Sequence, residues 1–81
     1  MSDRDNLTMA RAILADSLNV DPQAITEDAT IETLESWDSL GHMRLVLAIE
    51  AQLTRQLTPM EIAELESLRS LQKILASGGP A

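Results

Sequence analysis

The chain contains no cysteine, no phenylalanine and no tyrosine, and its only aromatic residue is Trp37. Without cysteine there can be no disulfide, no thiolate metal ligand and no thiol nucleophile among the side chains. A single histidine, His42, is too few for most zinc sites. Basic residues are scarce: 6 Lys and Arg stand against 13 Asp and Glu, a net charge of −7. Nucleic acid and anionic membrane are poor partners for such a surface, and basic protein surfaces are better ones. No apolar run approaches the roughly 20 residues needed to span a bilayer. The first residues, "MSDRDNLT", are polar and acidic, unlike a signal peptide. These absences lead to the expectation of a cytoplasmic, monomeric protein without membrane insertion.

What is present is aliphatic. Thirteen Leu, six Ile and two Val must supply the core of an 81-residue chain, near the lower limit at which one hydrophobic core holds a fold. Leu, Ala, Glu and Gln favour helices and β-branched residues are sparse, so the expected class is all-α, a single domain over 1–81. Leu7, Ala10, Leu14 and Leu18 recur at helical spacing, flanked by Met9 and Ile13, and predict a first helix over 3–18. "NVDPQ" breaks it, because Pro22 removes a donor and restricts Asp21. From Val20 to Asp38 no period is sustained; Val20, Ile25, Ile31 and Leu34 are expected to anchor this long connection in the core, with a turn of helix near 31–34. Connections of this length are often functional. A second helix should start at Asp38 or Ser39, both good N-caps, and run to about Leu53. "TPME", Thr58 to Glu61, combines an N-cap Thr, a Pro at N1 and a Glu at N3, and opens a short third helix with Ile62 and Leu65 inward. Leu68, Leu71, Ile74 and Leu75 define a fourth, over 68–76, with residues 76–81 expected to form a flexible tail. The expectation is a small three- to four-helix bundle with one long loop before helix 2.

The stretch "ESWDSLGHMRLVLAIE" concentrates the candidate chemistry. Asp38, Ser39 and His42 have the residue types of a nucleophilic triad. Ser39 and His42, three apart, could approach each other, but Asp38 points elsewhere, no Gly-rich segment shapes an oxyanion hole, and a bundle of this size has little room for a cleft. His42 reads as a solvated helix residue. On local physics alone, Asp38 and Ser39 cap a helix and nothing more.

"DSL" opening a hydrophobic helix after a long acidic loop resembles the attachment segment of acyl carrier proteins, in the family of phosphopantetheine-binding carriers. The resemblance covers nearly the whole chain: helix 1, long loop, DSL helix followed by "RLVLAIE", short helix, last helix. It implies an acyl-carrier-like bundle, and a non-catalytic function. The Ser of the motif, here Ser39, would carry covalent 4′-phosphopantetheine from coenzyme A. An acyl or aminoacyl group would ride on that arm as a thioester and be presented to partner enzymes. Partners would be a phosphopantetheinyl transferase, an acyl- or aminoacyl-activating ligase, and acyltransferase or synthase enzymes. The arm's thiol would then be the only thiol on the protein, and the phosphodiester would sit at the positive end of a helix. The alternative is an unmodified helical interaction module with the same fold.

By match to the family, the motif helix and the loop before it face partners. Leu40, Met43 and Leu47 fall on one stripe, and Trp37, Asp38, Arg44 and Glu35 complete the expected docking set, with Glu32 adding to the acidic field. Four positions depart from the family pattern. Ser36 stands where Gly is common, Trp37 where a small residue is frequent, and Gly41 where an acid is usual. Gly41 also weakens an early helical turn by up to about 1 kcal/mol relative to Ala. Arg44 replaces a Glu typical of fatty-acid carriers, and a reversed charge repels partners that recognise a uniformly acidic helix. These departures point to a free-standing carrier of a dedicated pathway. An aliphatic core with Met9, Met43 and Met60 is adaptable enough to hold an acyl chain between helices, and is equally an ordinary core with cargo carried outside.

Overall fold

The computed structural model describes residues 3–77, with side chains from 5 to 76. Four helices follow in order: α1 (Asp3–Leu18), α2 (Ser39–Leu53), α3 (Pro59–Glu64) and α4 (Leu68–Ser77), with a single 3₁₀ turn at Pro22–Ala24. Each boundary has a local cause. Helix α1 stops at Asn19, whose φ of 58° lets the Val20 N–H reach back to the Ala15 carbonyl at 2.9 Å. Asp21 caps the 3₁₀ turn by accepting from the Gln23 N–H. Thr58 opens α3 with a complete capping box shared with Glu61. The Ser67 hydroxyl accepts the Ser70 N–H at the start of α4. Of the expected tail, residues 76 and 77 belong to α4, and 78–81 lie outside the described residues.

The core lies where α1 packs on α2 and α4. Leu14, Leu45, Ile49, Leu65, Leu68 and Leu71 are fully buried there. Each lost apolar surface stabilises the fold by roughly 25 cal/mol per Å². Methionine contributes little to this centre. Met43 and Met60 are 63% and 70% exposed and Met9 is half-buried, so of the two readings the ordinary core is the one formed. Leu and Ile fill it instead.

The long loop is tied down along its length. Arg11 Nε donates to the Ile25 carbonyl at 3.0 Å, fixing the loop to α1. Further on, the Ile31 N–H donates to the Glu66 carbonyl at 2.8 Å and the Leu68 N–H to the Ala29 carbonyl at 3.0 Å, an antiparallel bridge centred on Thr30 and Ser67. One turn follows, closed by the Leu34 N–H on the Thr30 carbonyl. The apolar anchors are Ile25, Ala29 and Trp37, all buried. Val20 and Leu34 are half-buried. Ile31, expected inward, is 36% exposed, because the bridge to residues 66–68 commits its backbone and turns its side chain outward. Among the described residues no helix is long and apolar enough to cross a membrane.

Candidate functional site

The chain enters α2 through a turn in which the Trp37 N–H bonds the Leu34 carbonyl at 2.9 Å. Asp38 is extended, with φ −93° and ψ −171°, and caps the helix: its Oδ1 accepts the Gly41 N–H at 2.8 Å. The His42 N–H bonds the Asp38 carbonyl at 2.8 Å. By helix geometry the N–H groups of Ser39 and Leu40 have no intrahelical carbonyl to reach. Ser39, the first residue of α2, is exposed.

Gly41 is buried here for a steric reason. A Cβ at this position would stand 2.7 Å from Leu18 Cδ2 and 2.8 Å from the Ser36 carbonyl oxygen. The glycine that seemed only to weaken the helix is what lets the loop and the end of α1 close on the first turn of α2.

His42 is half-buried rather than solvated, and both ring nitrogens are engaged. Nδ1 accepts from Trp37 Nε1 at 2.9 Å, and Nε2 lies 3.3 Å from the Ile62 carbonyl of α3. A carbonyl only accepts, so Nε2 carries the proton and Nδ1 presents its lone pair. The two rings are roughly stacked, with centroids 6.2 Å apart. No imidazole nitrogen is left to serve as a base for Ser39, which removes the arrangement a serine nucleophile requires. Among the described residues there is also no cluster of His, Asp and Glu able to hold a metal ion.

The expected docking residues separate into two groups. Leu40, Met43 and Leu47 are 59%, 63% and 61% exposed, an unusual display for large apolar side chains on a small chain. Glu35, Asp38 and Arg44 are exposed as well. Trp37 is not: it is 3% exposed and packs in the core, because its N–H finds His42 and its apolar body replaces a missing aliphatic anchor. It supports the start of α2 from beneath and cannot contact a partner. Sequence reasoning missed the Ile62 carbonyl, twenty residues from His42, which no local spacing reveals. It also missed Met60, exposed on α3.

The family model described as phosphopantetheine attachment site matches residues 10–75. The chain belongs to this phosphopantetheine-binding family. It is similar to an acyl carrier protein of Thermosynechococcus vestitus (strain NIES-2133 / IAM M-273 / BP-1), with 32% identity over 75 residues, covering 93% of this chain and 89% of that relative. It is thus an acyl carrier protein-like carrier, of a non-catalytic family, whose cofactor is covalent 4′-phosphopantetheine. Family membership implies a phosphopantetheinyl transferase and biosynthetic enzymes as the general partners.

The residues present fit that cofactor. A phosphodiester needs an accessible hydroxyl and favours a helix N-terminus, where N–H groups and the helix dipole meet its charge. Ser39 offers the first, and the Ser39 and Leu40 N–H groups the second. A shallow depression lined by Ile31, Trp37, Asp38, Ser39 and His42 opens beside Ser39. When bound, the group supplies a long flexible arm ending in a thiol, the chemistry this chain's own side chains lack.

Proposed function

We propose that Ser39 is the attachment residue, and that the protein carries an acyl or aminoacyl group as a thioester for the enzymes of a dedicated biosynthetic pathway. The supporting observation is the exposed Ser39 hydroxyl, at the capped start of a helix inside the matched family region. In the loading step Ser39 Oγ attacks the phosphorus nearest the pantetheine of coenzyme A. The Oγ–P bond forms, the pyrophosphate P–O bond breaks, and adenosine 3′,5′-bisphosphate leaves. The Oγ proton passes to a base on the transferase, since His42 has no free nitrogen to take it.

Docking falls to Leu40, Met43 and Leu47 with Asp38, Glu35 and Arg44 around them. An exposed apolar stripe flanked by charges of both signs suits a partner pocket that is apolar at its centre, basic towards the loop and acidic towards Arg44. This mixed pattern favours a dedicated pathway: a partner built for a uniformly acidic helix meets a repulsive charge at Arg44.

Intact-mass measurement after incubation with coenzyme A and a broad-specificity phosphopantetheinyl transferase tests the attachment. Wild type should gain one phosphopantetheine and Ser39→Ala none. An unmodified wild type, beside a control carrier that is modified, would mark an unmodified helical interaction module instead.

A further inference from the structure

We infer that Trp37 and His42 are positioning residues for Ser39, acting through a chain of hydrogen bonds that requires one tautomer of the His42 ring. The inference rests on Ser39 as the attachment residue. One imidazole joins three elements around that hydroxyl. Nδ1 accepts from Trp37, two residues before Ser39 in the loop; the ring belongs to α2, one turn after Ser39; and Nε2–H donates to Ile62 on α3. All these groups except Ile62 line the depression beside Ser39. Trp37 is buried and cannot shift without opening the core. The bond from its N–H therefore ties the loop to the first turn of α2, the turn that begins with Ser39.

The chain of bonds admits a single protonation state. Trp37 Nε1 is only a donor, so Nδ1 must keep its lone pair. A proton there would set two N–H groups against each other 2.9 Å apart. The imidazolium must break that bond and leave Trp37 with a buried, unsatisfied donor. Of the charged side chains on the surrounding elements, Asp38 lines the same depression, Glu61 is held by Arg55, and Glu50 accepts the Leu57 N–H. Glu32, Glu35, Arg44 and Glu64 are exposed.

The two roles on this face predict different kinetics. The apolar stripe sets docking and hence KM, whereas aim of the hydroxyl is realised in the transition state and sets kcat. In transferase assays near neutral pH, His42→Ala and Trp37→Phe should lower kcat about fivefold, the worth of one hydrogen bond, with KM held. His42→Gln keeps an uncharged donor and acceptor and never takes a proton, so it should restore kcat. Trp37 fluorescence, free of any other aromatic residue, should shift in His42→Ala and return towards wild type in His42→Gln. Circular dichroism keeps unfolded variants out of the comparison. A kcat unmoved by Trp37→Phe, or not restored by His42→Gln, overturns the inference while leaving Ser39 as the attachment residue. A wild type that takes no phosphopantetheine overturns both.

Discussion

Adding one methyl group to Gly41 sets two effects against each other. Alanine is the better helix former by about 1 kcal/mol. Its Cβ, however, collides with a leucine methyl and with the Ser36 backbone carbonyl, and the carbonyl cannot swing aside as a side chain can. Overpacking of this kind costs about 1–3 kcal/mol, so Gly41→Ala should be destabilised by about 1 kcal/mol. Thermal unfolding should show a drop of about 4–8 °C. Truncating Leu18 in the same chain should not restore the loss, because the carbonyl contact remains; a Gly41→Ala protein as stable as wild type would mean that helix propensity dominates. At this scale the sequence was legible only in part. The Asp38 cap and the place of Ser39 as the first residue of α2 follow from local pattern. The roles of Gly41, Trp37 and His42 depend on Leu18, Ser36 and Ile62, which arrive from other elements, and no period or spacing around residue 40 encodes them.

At the scale of elements, α3 has six residues and would be marginal on its own. Its start is held by two devices that share one carboxylate. Glu61 Oε1 accepts the Thr58 N–H, and the same group makes a two-point contact with Arg55 at 3.0 and 2.9 Å. The Arg55 hydrogen bonds, followed by the Thr58 N–H, lower the Glu61 pKa from 4.5 to about 2. A folded-state value below the unfolded one means that the contribution is complete above about pH 4.5 and is lost as pH falls towards 2. Melting curves of wild type and Glu61→Gln should therefore differ at pH 6 and converge on acidification; a constant gap would show that the charge of Glu61 is immaterial to α3. The pair is partly exposed, so the gap should be small and narrow in high salt. "TPME" announced this helix because all its capping groups are adjacent in sequence. The loop was less legible: Ile31 and Trp37 are both large and apolar in an aperiodic segment, and only the bridge to residues 66–68 decides which faces inward.

For the molecule as a whole, the acids and bases are unevenly placed. Residues 21–38 hold six acids and no base, whereas residues 39–56 carry two arginines and one glutamate. Arg55 is spent on Glu61 within the fold, which leaves Arg44 as the exposed cation beside the apolar stripe. Arg44→Glu should weaken the cognate partner by about two- to fivefold and improve turnover by fatty-acid enzymes, with both changes shrinking in high salt. Unchanged selectivity in paired turnover assays would reduce Arg44 to an ordinary surface residue. Helix order, helix boundaries and most core positions were legible here, because four aliphatic stripes with strong caps leave few other ways to pack. The stitching of the loop was not, since backbone hydrogen bonds between distant segments leave no trace in side-chain pattern. That stitch joins two points of the loop, Ala29 and Ile31, to the chain entering the last helix, at Leu68 and Glu66. Loosening the start of α4 would therefore release the loop that leads to Ser39.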